Sequence, residues 1–463
     1  MQKDDKKAYL NNSTLIISAF VTVFYTRVVA TMIHLPLLNL LHFIVVPAVC
    51  VIAITTTRTK DPKQIAICYS FLVGLSILFG VTIASALLNH AGLINAIVSF
   101  MMLGEPFIFL LAIGCISMSL KSYIKVRNSL DWGVGINFLL AAIQKPAIDS
   151  GRIYAGGLNG TDGCGGVFFV SGAGNYVSAT ISVVFALYFS TRRQDSLCVK
   201  LAIASAALWH ILFSDSKQIV LAYGVAWILL ILMSIKDIVK TLKLLAAFIS
   251  LGSIGLWCVQ NVEAFKAYTS WARPELYGWD GLAWYAKFYS IRSILDHYQS
   301  PLNWLIGLGP GHTVSRLGAW FLRDFAAILG PLGSTRTTIG ADSMDFVANF
   351  WLTSGSSLFS PIFGWAGIWG DLGLLGLGSY LYLGYLAWKH FGLDNGLKVT
   401  LLSIFVMGLI FTQMEEPGYT LSIAYILGLS WQEQHLNRKC SRGTYSNPKS
   451  VTGASFILDK AFR

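Results

Sequence analysis

Charge is scarce in this sequence. Only 12% of its 463 residues are Asp, Glu, Lys or Arg, where a soluble domain carries about 25%. With 55% of residues hydrophobic and repeated apolar runs of about 20 residues, a soluble globular protein is excluded in favour of an integral membrane protein of the helical kind. The seven cysteines (Cys50, Cys68, Cys115, Cys164, Cys198, Cys258 and Cys440) contain no CxxC pair, and five lie in or beside apolar runs. That pattern excludes a disulfide framework and a zinc site. No HExxH, P-loop or Rossmann fingerprint is present. There is no internal repeat, and no pair of Gly/Pro-broken helices in matching halves of the kind transporters show. The start, with Lys3, Lys6 and Lys7, has no clear small-residue cleavage site before its long apolar run. It reads as a cytoplasmic tail and a retained first helix.

What is present divides into apolar runs and one long polar segment. The runs predict twelve membrane spans, at 14–33, 37–56, 65–87, 93–118, 129–146, 168–190, 199–213, 218–234, 243–260, 362–388, 398–413 and 418–432. An even number puts both termini on one side. On that topology the inner loops and tails hold twenty-three basic residues and the outer ones ten, so both termini are expected in the cytoplasm. The net charge of +11 follows from this bias and points to no nucleic acid partner. The expected organisation is an N-terminal bundle over 1–260, an extracytoplasmic segment over 261–361, further spans over 362–432 and a basic tail over 433–463. The stretch 121–128 reads first as an ordinary positive-inside anchor, with a short element lying on the inner leaflet as the alternative.

The chain is organised around 261–361. It carries Arg273, Lys287, Arg292, Arg316, Arg323 and Arg336 among many aromatics, and then the turn Gly307-Leu308-Gly309-Pro310-Gly311-His312. Residues 285–298 read as an amphipathic helix with Phe288, Ile291, Ile294, Leu295 and Tyr298 on one face. Of its basic residues Arg292 is the preferred anion ligand, because a guanidinium binds phosphate oxygens in a bidentate way that an ammonium cannot. Three further features point to an anion near the outer helix ends. Arg152 stands beside the glycine-rich stretch 151–166, which is either a phosphate clamp or a flexible solvated loop. Ser214-Asp215-Ser216-Lys217 opens a span, so Lys217 adds a full charge to a helix N-terminus. Arg27 and Glu105 lie inside spans, where a charge must face protein or water. Arg27 is close enough to the outer end to snorkel. Glu105 is mid-span, and reads either as a structural ion pair or as a carboxylate lining a cavity.

In order and topology these motifs resemble the family of bacterial O-antigen ligases and O-antigen (polysaccharide) polymerases. The resemblance rests on Ser216-Lys217 before a span, the Arg292 helix leading into Gly307–Gly311, Ser360-Pro361-Ile362-Phe363, and Gly370-Asp371-Leu372-Gly373 with Gly376. It covers roughly residues 125–430. It implies an all-α integral-membrane glycosyltransferase of the C-type helical fold in the bacterial inner membrane, working without a metal or cofactor. The donor would be a polyprenyl-pyrophosphate-linked glycan, attacked by a hydroxyl of a glycan acceptor with inversion, and a chain-length regulator protein would be a further partner. By the same resemblance Lys217 and Arg292 contact the pyrophosphate and Arg152 matches an Arg-x10-Gly pattern through Gly163. The general base falls among His312, Asp371, Glu415 and Glu416, and Arg316 and Arg323 bind substrate. Ligases carry a His at the position of Ile362, so the chain leans towards a polymerase. The alternatives are a ligase transferring glycan to lipid or protein, and a polytopic transporter or lipid flippase.

Overall fold

The structure is a computed structural model that describes residues 12–56, 61–154, 162–170, 172–191, 195–233, 238–262, 274–278 and 280–441. Among them every regular element is helical. Ten helices precede the long segment: α1 (Asn12–Phe24), α2 (Thr26–Met32), α3 (His42–Thr56), α4 (Pro62–Leu88), α5 (Leu93–Cys115), α6 (Leu120–Asp149), α7 (Gly174–Ser190), α8 (Leu197–Phe213), α9 (Lys217–Met233) and α10 (Ile238–Asn261). The segment itself folds into short helices, α11 (Pro274–Tyr277), α12 (Leu282–Lys287), α13 (Tyr289–Asp296), α14 (Pro301–Ile306), α15 (Leu322–Asp324), α16 (Ala326–Leu329), α17 (Thr338–Asn349) and α18 (Trp351–Gly355). Then come α19 (Gly364–Phe391), α20 (Asn395–Met407) and α21 (Pro417–Ser441).

Among the described residues four helical stretches are long and apolar enough to cross a membrane: Pro36–Thr56, Pro62–Leu88, Leu93–Cys115 and Ser357–Phe391. A fifth is added if Ser13–Phe24 and Thr26–Met32, bent by 47°, count as one span. Apolar helices of this length make this a helical membrane protein. Four more of the twelve expected spans fall on shorter apolar helices. Gly174–Ser190, Leu197–Phe213, Lys217–Met233 and Asn395–Met407 are apolar but shorter. The stretch 121–128 is no separate surface element. Ser119 caps the N–H of Ser122, and α6 runs unbroken from Leu120. Likewise α21 continues past the expected tail boundary to Ser441, while 442–463 lie outside the described residues.

The core is built around α5. Every residue from Met102 to Ile116 is buried, which is how a helix apolar on all faces is accommodated. It packs against α3, α4 and α21. Phe109 stacks on Tyr425 of α21, and Phe107 meets Phe71 of α4 and Tyr380 of α19. Large aromatic faces therefore hold the middles of these helices together.

Candidate functional site

The two glycine motifs dock on each other. α19 is interrupted at Gly373 (φ 64°, ψ −162°), which frees carbonyls of its preceding turn. The turn after α14 takes them up: the N–H of Leu308 donates to the Gly370 carbonyl at 2.8 Å, and that of Gly309 to the Asp371 carbonyl at 3.1 Å. The Ser85 hydroxyl of α4 donates to the carbonyls of Ile306 and Asp371, tying both chains to the bundle. The Asp371 carboxylate then accepts four hydrogen bonds, from the N–H of Gly311 (2.7 Å), the N–H and hydroxyl of Thr313 (2.9 and 2.6 Å) and the Ser315 hydroxyl (2.6 Å). A carboxylate offers about four lone-pair sites. Asp371 is thus a clamp on the turn, with no acceptor left for a substrate proton.

His312 has the same character. Its Nδ1 lies 2.9 Å from the Leu308 carbonyl and its Nε2 2.8 Å from the Thr335 hydroxyl, so both ring nitrogens are engaged within the turn. Of the residues expected as general-base candidates, Asp371 and His312 are thus both held by hydrogen bonds inside the protein.

Beyond Ser315 the clamped turn delivers Arg316 to the helix ends, immediately before one turn of π-helix over Leu317–Phe321, a form often found at functional sites. The main-chain N–H of Arg316 donates to Glu415 Oε2 at 2.8 Å, its guanidinium pairs with Glu416, and it stands 5.9 Å from the Trp320 ring. Burial, reinforced by repulsion from Arg27, lowers Arg316 to about 9, and the guanidinium stays charged at neutral pH. Burial, with the Asp371 carboxylate nearby, pushes Glu415 up to about 8.

Arg316 lines a cavity of about 1280 Å³ between the helix ends and the segment 274–361. Lys217 at the start of α9, Arg323, Glu416 and Arg27 of α2 line it as well, and Met102 of α5 and His42 of α3 are also on its wall. Three of the four cations have a carboxylate: Lys217 pairs with Asp215 at 2.7 Å, Arg323 with Asp324 at 3.0 Å, and Arg316 with Glu416. Arg27 has no ion pair among the described residues, and Arg316 is near enough to repel it. A guanidinium held among apolar helices beside a second one leaves a site that an anion would satisfy.

The structure therefore brings together Lys217, Arg316, Arg323 and Glu416, with Glu415 immediately behind Arg316. It separates them from Arg292 and Arg152, neither of which lines the cavity. Arg292 is exposed and lies 5.0 Å from the Tyr285 ring. The reason is helical phase: Ser290 and Ile294 form the buried face of α13, and residue 292 is half a turn away. The expected amphipathic helix is also divided at Phe288. Arg152 is exposed just past α6, and residues 155–161 of the glycine-rich stretch beyond it lie outside the described residues, as does Arg273.

The roles of two groups escaped the sequence reading. Lys287 donates to the carbonyls of Leu358 (3.3 Å), Ser360 (2.9 Å) and Ile410 (3.1 Å), so it fastens the segment to the helix ends. Nothing in the sequence marks it, because its acceptors are all main chain. His42 meets Glu105, both carboxylate oxygens lying 2.8 Å from Nδ1. The signal for this pair was the mid-span carboxylate itself. Among the described residues no group of three or more His, Cys, Asp or Glu could hold a metal ion. No family model matches the chain, and no curated protein matches it either.

Proposed function

We propose that the protein is an integral-membrane glycosyltransferase that extends a glycan carried on a polyprenyl pyrophosphate. In this reading twelve spans place both termini in the cytoplasm and the segment 261–361 on the outer face of a bacterial inner membrane. The observation that carries it is Arg27 beside Arg316 on the wall of one cavity, with no described anion opposite Arg27. Two guanidinium groups on one cleft wall suit a diphosphate that gains charge as it leaves. The volume of about 1280 Å³ exceeds the usual range of small-molecule pockets, roughly 300–1,000 Å³. It has room for a lipid-linked donor together with an acceptor.

The test is chain growth in cells that carry single substitutions, read as a polysaccharide ladder and normalised to membrane-inserted protein. Arg27→Ala and Arg316→Ala should each cost about 2–4 kcal/mol of transition-state stabilisation, two orders of magnitude or more in rate. Arg292→Ala should leave the ladder close to that of the parent. Normal ladders in both Arg27→Ala and Arg316→Ala would overturn the proposal.

A further inference from the structure

Glycosyl transfer to a hydroxyl needs a group to take the hydroxyl proton, and the cavity wall narrows the choice. Glu416, Asp215 and Asp324 are each paired with a cation, and Asp162 is approached by the Asn175 amide at 3.4 Å. Asp371 and His312 are consumed by the glycine turn. His42 is differently placed. It is the first residue of α3, it lines the cavity, and behind it Glu105, 1% exposed, reaches its Nδ1 with both oxygens. An ionised carboxylate only accepts, so the hydrogen of the neutral ring sits on Nδ1 and the lone pair on Nε2. No hydrogen bond to that Nε2 occurs among the described residues.

We infer that His42 is the general base of the transfer and Glu105 its positioning residue, an assignment that rests on the glycosyltransferase reading above. The acceptor hydroxyl gives its proton to His42 Nε2 while its oxygen forms a bond to the anomeric carbon. The bond from that carbon to the phosphate oxygen breaks, and its electron pair leaves with the polyprenyl diphosphate, held by Arg27 and Arg316. Glu105 fixes the ring and its tautomer and balances the imidazolium until the proton passes to water. Burying a carboxylate mid-helix is costly unless it is paired, and a paired orienting carboxylate is the arrangement by which a His base is held ready.

The experiment uses full-length protein in nanodiscs. It is fed lipid-linked repeat units extracted from the membranes of the producing cells, and farnesyl diphosphate serves as a separate binding probe. His42→Ala should lose about 10²- to 10⁴-fold in kcat, keep KM and farnesyl diphosphate binding, and regain part of its turnover when imidazole is added. Glu105→Gln should fall between it and the parent. Where His42→Ala fails to insert, His42→Gln with Glu105→Gln replaces the hydrogen-bonded pair by two amides. This pair should insert, bind the probe and be inactive.

If either His42 variant turns over at nearly the parental rate while Arg27→Ala does not, the base assignment is wrong and the diphosphate seat stands. Loss without imidazole rescue, accompanied by a raised KM, marks a merely structural pair and equally overturns it. If Arg27→Ala and Arg316→Ala also turn over normally and farnesyl diphosphate does not bind the parent, the glycosyltransferase reading itself fails, and the base falls with it.

Discussion

Gly307 and Asp371 meet main chain to main chain: a Cβ on Gly307 would stand 2.4 Å from the Asp371 carbonyl carbon. The contact is reciprocal across the break in α19, since a Cβ on Gly373 would stand 2.4 Å from the carbonyl carbon of Leu305. Both glycines also have positive φ, 72° and 64°. Gly307→Ala and Gly373→Ala should therefore each destabilise the protein by at least about 2 kcal/mol, from backbone strain and overlap together. Gly378, in the same helix, has nothing within 4 Å of its Cβ position. Gly378→Ala should stabilise by about 0.5–1 kcal/mol, as expected for a helical glycine. Thermal unfolding of the detergent-extracted protein measures all three.

The four donors on Asp371 make a second prediction. In Asp371→Asn an NH2 group must face hydroxyl or N–H donors that now hold a carboxylate oxygen. Leaving buried donors unsatisfied costs about 1–3 kcal/mol, more where the lost acceptor was charged. Thr313→Val removes one hydroxyl donor and keeps the main-chain bond, so it should cost less. Melting temperatures in that order, parent above Thr313→Val above Asp371→Asn, are the expected result. An unchanged melt for Asp371→Asn would show that the carboxylate is no clamp.

How much of this was legible beforehand differs from residue to residue. The glycine turn and the Gly370–Gly373 motif stand out in the sequence because glycines at that density signal close backbone approach. Their mutual docking does not, since it depends on a helix interruption that few local signals foretell. Glu105 announces itself as a carboxylate in an apolar run, but its partner His42 is 63 residues away. Arg27 is visible as a charge inside a span, whereas its unpaired state is a property of its neighbours. Arg292 stands out in the sequence as a basic residue on an amphipathic helix, but which face of that helix docks, with Ser290 and Ile294 inward, is not legible there. The helical membrane architecture follows directly from composition. The number of full-length spans does not, because runs such as 199–213 and 398–413 are long enough to be apolar helices and too short to be long spans.

Glu415 couples stability to pH in a definite direction. Burial lifts it to about 8 from an ordinary 4.5, with the Asp371 carboxylate adding to the effect. The folded protein therefore holds this proton where the unfolded chain has lost it. That contribution is fully present below about 4.5 and is lost as pH rises to about 8. Glu415→Gln has no proton to lose, and its carbonyl can still accept the Arg316 N–H. The melting temperature of the variant should exceed the parent's by a margin that widens from pH 5 to pH 8. A constant margin would show that Glu415 does not titrate in this window.

Lys287 carries the opposite slope. Burial lowers its ammonium from an ordinary 10.5 to about 7, so between these values the unfolded chain binds a proton that the folded protein does not. Its contribution is complete above about 10.5 and is lost as pH falls to about 7. The same nitrogen lies within 3.3 Å of the carbonyls of Leu358, Ser360 and Ile410 and 4.7 Å from the Phe363 ring centroid. Lys287→Met keeps the stem's apolar packing and leaves those carbonyls without their donor, at a cost of about 1–3 kcal/mol. Measured from pH 7 to pH 10, the parent's melting temperature should rise relative to that of Lys287→Met, so that the gap between them opens with pH. Because Leu358 and Ser360 belong to the chain leading into α19 and Ile410 to the turn after α20, the variant should also admit protease to the 351–361 connection at concentrations the parent resists. Equal cleavage in both would show that this lysine does not hold the segment against the helix ends.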